Sequence, residues 1–293
     1  MSYSNATPAA GNAGPGPTGT TFRVAFGLYV GAGLGGLATT AAALSLESSP
    51  RLLAIAVATF ATGAVVGAGL AGRLHGLPGR LGRTWVRRLA IICGALPFAA
   101  VIVASLPWSL GSQVKFAALG SACAVAISGI LLARVAENGY VDAATEGDEP
   151  VGSWRWYWSP SGSWTLDLIQ FLMWGLLAVS SAIVGDWWSA VLGTSAMVLG
   201  AVVSVTEGRW TRWFPDASSE AAEIRVYEHG FATERPYRRQ FVPWSSITHV
   251  RLRGDELVID RGRFDHRFDQ DALEDPEALR EAIDRRLETA GRR

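Results

Sequence analysis

Two glycine-rich segments carry the spacing that can cradle a dinucleotide phosphate: Val30–Gly36 (VGAGLGG) and Val66–Gly72 (VGAGLAG). The G-x-G-x-x-G fingerprint needs a strand before it, a helix after it and an acid about 20 residues on. Here both segments lie inside uncharged apolar runs, and Arg87 and Arg88 stand where the second would need its acid. No cofactor is therefore expected. The same glycines have a packing reading. Gly27, Gly31 and Gly35 recur every fourth residue, as do Gly63 and Gly67, and small residues so spaced let two membrane helices approach closely. These five are the expected helix-packing positions.

Other reactive types are sparse. Cys93 and Cys123 fall in apolar runs without metal-ligand spacing and read as small buried hydrophobes. His229, His249 and His266 also lack metal spacing and read as sheet-surface residues, so no metal is expected. There is no H-E-x-x-H pair and no G-x-S-x-G elbow. No catalytic residue is assigned, and a non-enzymatic protein is expected. Arg235, Tyr237, Arg238 and Arg239 form a basic hairpin tip (RPYRR). They are the candidate lipid or partner contacts, since basic residues near an anionic leaflet gain about 1 kcal/mol each. With Glu234 adjacent and a net acidic surrounding region, a solvated loop is the first expectation for this tip.

The elements that must position these residues follow from charge and hydropathy. The chain has 293 residues, 49% hydrophobic and 18% charged, against roughly 25% charged in soluble domains. Its net charge is zero, but 17 of the 26 acids follow residue 215. Residues 1–22 are uncharged and polar at the start, unlike a secretory signal, and read as a disordered tail. Six runs contain no Asp, Glu, Lys, Arg or His: 24–46, 52–72, 89–107, 116–133, 168–185 and 187–206. Each reaches or nearly reaches the roughly 20 residues that cross a bilayer core as a helix. The first four spans make up residues 23–134 and the last two residues 164–207. Pro97 should kink the third. Gln170, one turn into the fifth, reads as an interhelical hydrogen-bond partner. Ten arginines flank the ends on one side, and only Arg51 and Lys115 the other. The positive-inside rule then puts both termini in the cytoplasm.

Between the fourth and fifth spans, residues 135–163 read as a cytoplasmic loop. Its acidic part (Glu137–Glu149) reads as solvated and its Trp-rich part (Gly152–Trp164) as interfacial. Residues 208–221 read as a linker. After them apolar residues alternate: Ile224/Val226, Phe231/Thr233, Phe241/Pro243, Val250/Leu252, Leu257/Ile259 and Phe264/Phe268. That is the period of five or six half-buried strands. Asp275-Pro276 then starts a helix with Leu279, Ile283 and Leu287 on one face.

The strand order, the EHGF turn (Glu228–Phe231), the run FVPWSSI (Phe241–Ile247), LVIDRG (Leu257–Gly262) and the terminal helix resemble prokaryotic pleckstrin-homology-like domains fused to membrane helices. The resemblance covers about residues 222–290. It implies a curled antiparallel sheet capped by the helix and a binding or scaffolding role without catalytic residues. Usage of 25 arginines against one lysine fits a GC-rich prokaryotic genome. The expectation is thus an all-α bundle of six transmembrane helices with a small C-terminal α+β domain, a multi-pass protein of the cell membrane. Its expected partners are the bilayer, a cytoplasmic protein or lipid headgroups, and a second copy of itself, not nucleic acid. The main alternative is a transporter or channel for a small neutral solute with a regulatory tail. A membrane enzyme using Arg155 and Asp167 beside the Trp-rich loop is the third reading.

Overall fold

Uncharged stretches with no polar stripe form helices, because only a helix satisfies its own backbone groups in an apolar surrounding. The computed structural model describes residues 18–46, 49–74, 76–104, 111–157, 164–184, 187–206, 222–235, 238–262 and 265–290. Helices α1 (Thr18–Ala42) and α2 (Ser49–Arg73) are followed by a short α3 (Leu77–Gly82). Next come α4 (Trp85–Ile92), a 3₁₀ turn (Cys93–Ala95), α5 (Leu96–Ala104) and α6 (Ser112–Ala144). Among the described residues, four helical stretches are long and apolar enough to cross a membrane: Gly19–Ala42, Pro50–Arg73, Trp85–Ala104 and Ser112–Ala144. Helices α7 (Trp164–Val184) and α8 (Trp187–Thr206) form a hairpin with shorter described apolar stretches, Ile169–Ser181 and Leu192–Ala201. Large apolar side chains face outward from these helices, Val65 at 74% and Leu176 at 71% exposure. An apolar surface on this scale belongs against lipid or another protein.

Several boundaries differ from the sequence expectation. Helix α1 starts at Thr18, inside the expected 1–22 tail, because Phe22 is buried against Ala71, Ile91 and Leu132 and stacks on Phe26. It ends at Ala42, and a turn takes up Ala43–Ser45. The third stretch is broken just before Pro97. Proline has no N–H to give the Cys93 carbonyl, which accepts the Leu96 N–H instead and tightens that turn to 3₁₀. Gln170 lies exposed on α7 rather than between helices.

The largest correction concerns residues 135–163. Helix α6 continues through Ala144, so the expected acidic loop begins as helix. At 1.5 Å per residue its 33 residues reach roughly 50 Å, well beyond a bilayer core of about 30 Å. The extension persists because Tyr140, Val141 and Ala144 recur at helical spacing, and a partner covers them. That partner is the sheet domain. The Trp-rich stretch is not purely interfacial either: Gly152–Trp156 forms strand β1.

Strand β1 pairs antiparallel with β2 (Ala222–Val226) from Gly152↔Val226 to Trp156↔Ala222. Strands β3 (Gly230–Arg235) and β4 (Arg238–Pro243) complete a four-stranded antiparallel sheet ordered β1-β2-β3-β4. Strands β5 (His249–Arg253), β6 (Glu256–Asp260) and β7 (His266–Asp269) form a second, three-stranded antiparallel sheet. Helix α9 (Pro276–Ala290) is capped by the Asp275 carboxylate, which accepts the Ala278 N–H at 2.9 Å. One core joins both sheets and α9: Ile224, Val226, Phe231, Val242, Trp244, Leu257, Ile259, Phe268, Leu279 and Ile283. The domain is therefore discontinuous in sequence, with the α7–α8 hairpin inserted between its first two strands. The expected linker 208–221 lies outside the described residues.

Candidate functional site

The packing glycines lie where two helices touch. A Cβ on Gly27 would sit 2.6 Å from the Ala64 carbonyl oxygen, and one on Gly31 would sit 2.7 Å from that of Phe60. From the other side, a Cβ on Gly63 would meet the Gly31 Cα at 2.9 Å, and one on Gly67 the Gly27 Cα at 3.0 Å. Gly35 is 3.2 Å from the Phe60 Cβ by the same construction. A cleft of about 390 Å³ opens between α1, α2 and α6, lined by Ala32, Gly36, Val57, Phe116 and Ala124 among others. Its hydroxyls turn back to their own helices. Thr39 Oγ1 donates to Gly35 O and Ser121 Oγ to Ala117 O, each at 2.6 Å. The cleft is lined mainly by apolar surface.

The polar chemistry collects elsewhere, where α6 meets the sheet domain. Val141, Tyr227, Ala232 and Phe241 form a small core across that boundary, and the Tyr140 and Phe241 rings meet edge to face at 6.2 Å. Strand β4 is a sheet edge, and α6 covers it: the Arg239 backbone N–H donates to Asn138 Oδ1 at 2.9 Å. The Arg239 guanidinium pairs with Asp142 of α6 and, at 2.6 Å, with Glu234 of β3. These carboxylates raise its pKa against the opposing effect of burial.

Glu137 lies at the centre of the junction and is only 3% exposed. Its carboxylate pairs with Arg88 of α4, with Arg134 at 3.3 Å and with Arg238 of β4 at 3.7 Å. A buried carboxylate is tolerated only when paired in this way. Three separate elements are thereby held to one charge. Short helix α3 closes the side, because Gly82 lets its backbone rest on the Ala136 carbonyl.

A cavity of about 780 Å³ opens beside this carboxylate. The α3–α4 joint supplies Arg83, Thr84, Trp85 and Arg88; β3 and β4 supply Arg235, Arg238 and Gln240. Ser245, Ser246, Arg261, Asp265 and His266 complete the wall. Arg235 lies 4.5 Å over the Trp156 ring, a cation–π contact. Burial, and secondarily the like charge of Arg238, lower its pKa to about 10. His266 is not on the sheet surface, as its spacing implied. Its ring meets Phe231 edge to face at 6.2 Å and stacks on Phe268 at 6.4 Å, and Arg261 Nη1 donates to its Nε2 at 2.8 Å. Burial first, then Arg261, Arg235 and Arg238, push its pKa down to about 4, so the imidazole is neutral near pH 7.

Of the expected contact residues, Arg235 and Arg238 line the cavity, Arg239 is spent on Asp142 and Glu234, and Tyr237 lies outside the described residues. The described arginines, Arg235, Arg238 and Arg239, thus belong to strands β3 and β4 rather than to a solvated loop. Arg155 belongs to β1, and its N–H donates to Glu274 at 3.3 Å, while the Asp167 side chain lies outside the described residues. His229 Nδ1 meets Asp148 at 3.0 Å, with Glu228 also close, tying the turn after α6 to the β2–β3 turn. Glu137 itself was missed. The apolar stripe Ala136–Tyr140–Val141–Ala144, which extends beyond the uncharged run ending at Ala133 with no proline, was the signal that its helix continues. No protein family, characterised protein or solved structure matches this chain.

Proposed function

We propose that this chain is a multi-pass membrane protein of six crossings, with both termini and a pleckstrin-homology-like domain in the cytoplasm. We read it as a non-enzymatic binding protein whose site is the arginine-lined cavity. The four-plus-three strand arrangement with a terminal helix on its core supports the pleckstrin-homology-like reading. The ten-to-two arginine bias supports the orientation. The observation that carries the binding role is the cavity's construction: one wall comes from the ends of the apolar helices, the other from the sheet domain, and Glu137 joins them. A ligand seated there touches both halves at once. Docked in this way, the sheet domain is a fixed recognition surface at the membrane rather than a tethered free module.

The test uses full-length protein with Cys93 and Cys123 replaced by alanine. Asp142→Cys with Arg239→Cys, the two ends of an ion pair that a long side chain spans, should cross-link in native membranes through a short bifunctional thiol reagent. Ser48→Cys, in the α1–α2 connection, should react with an impermeant thiol reagent in intact cells, and Arg251→Cys only after lysis. Absence of the cross-link, or labelling on the opposite sides, contradicts the reading.

A further inference from the structure

We propose that the cavity between α4, α6 and the sheet domain binds a phosphate group, carried either by an anionic lipid headgroup at the leaflet surface or by a small soluble organic phosphate. This rests on the docked-domain reading above and names the chemistry of its site.

Charge is the first argument. Five arginines (Arg83, Arg88, Arg235, Arg238, Arg261) line the cavity against two carboxylates, Glu137 and Asp265. Neither carboxylate is idle: Glu137 already holds Arg88, Arg134 and Arg238, and Asp265 lies 3.7 Å from Arg267. His266 adds no positive charge near pH 7 and accepts from Arg261. Five guanidinium groups against two carboxylates leave the lining with a net positive charge, and an incoming anion relieves the crowding of Arg235 and Arg238. Guanidinium forks match phosphate oxygens in pairs, and phosphate offers more acceptor oxygens than a carboxylate to several arginines at once.

Size and position are the second argument. At about 780 Å³ the space suits an organic molecule rather than a bare ion. Trp85, on the rim, is 65% exposed and begins the apolar stretch Trp85–Ala104. Tryptophan so placed marks the headgroup level. The cavity therefore opens where a lipid phosphate resides, and its hydroxyls on Thr84 and Ser245 add neutral donors. The first turn of α4, the positive end of that helix, lies on the same wall.

The experiment measures binding to the full-length protein by native mass spectrometry and thermal unfolding. One arm uses phosphatidylcholine nanodiscs with and without phosphatidic acid. The other uses detergent-solubilised protein with inorganic phosphate or glycerol phosphate. Retention of phosphatidic acid over phosphatidylcholine identifies the lipid source; stabilisation by the soluble phosphates alone identifies the soluble one. Arg83→Gln and Arg261→Gln each should weaken binding about tenfold, the loss of one charge-assisted contact. Arg251→Gln, on the exposed face of β5, should leave binding unchanged. The proposal is overturned if neither phosphate source binds, or if Arg83→Gln and Arg261→Gln bind as Arg251→Gln does. Should the Asp142–Arg239 cross-link form while no phosphate binds, the phosphate site falls and the docked reading stands. Should that cross-link fail, both fall together.

Discussion

Asn138 Oδ1 accepts the backbone N–H of Arg239 at 2.9 Å, so a side chain on a helix satisfies a backbone donor of a sheet-edge strand. The two residues are far apart in sequence, and one belongs to an element that begins as an apolar helix. This bond, the Arg239 ion pairs and the Tyr140–Phe241 contact make the helices and the sheet domain one packed unit.

Loss of the Glu137 carboxylate should be felt by both halves. Glu137→Ala leaves Arg88, Arg134 and Arg238 converging on nothing, and removing one partner of a buried ion pair costs about 3–5 kcal/mol. Thermal unfolding in detergent should show the loss. Adding Arg238→Gln to Glu137→Gln should recover part of it, since the two sites share one interaction. Strict additivity would argue that they do not.

The α1–α2 contact predicts a contrast between neighbours. Gly31→Ala places a methyl 2.7 Å from the Phe60 carbonyl oxygen, whereas Gly33 has nothing within 4 Å of its Cβ position. Overpacking costs about 1–3 kcal/mol, so Gly31→Ala should lower the unfolding midpoint and Gly33→Ala should not. Equal effects would mean that α1 presents a different face to α2.

Gly82→Ala tests the seat of α3. Its methyl would fall on the Ala136 carbonyl, a backbone atom that cannot swing aside. A loss of about 1–3 kcal/mol is expected. The displaced α3 should also loosen the adjoining cavity wall, read as faster hydrogen exchange over residues 82–88.

His266 predicts a pH dependence. Its folded pKa of about 4 lies below the unfolded value of about 6.5, so between them the unfolded state binds more protons. Stability from the neutral imidazole is therefore complete above about pH 6.5 and is lost as pH falls to about 4, by roughly 3 kcal/mol. Arg261, Arg235, Arg238 and Asp265 are the charged groups around it. His266→Gln keeps an acceptor for Arg261 and should flatten the wild-type slope across this window. An unchanged slope would assign the acid loss to the carboxylates.

Much of this architecture was legible in local pattern. Alternating residues from Ile224 to Phe268 marked strands β2 to β7, and Leu279, Ile283 and Leu287 marked the buried face of α9. Strand β1 was not legible, because its partner lies beyond the whole α7–α8 hairpin and Gly152↔Val226 pairing has no local signature. Its tryptophans suit a membrane interface as well as a sheet, and Trp156 is spent on Phe268 and Arg235. Glu137 was hidden by its type: a carboxylate after an apolar run reads as solvated until Arg88 and Arg238, from distant elements, join Arg134 of its own helix around it. The arginines of the RPYRR tip were visible, but their division between a cavity and an ion-paired helix depends on α6 continuing past Ala133.

The most direct measurement is hydrogen exchange across residues 134–144 in the full-length protein in nanodiscs. A docked helical extension predicts strong protection there and over β4, and Glu137→Ala should release both segments together. Exchange over 134–144 at the rate of an unstructured peptide would contradict the account.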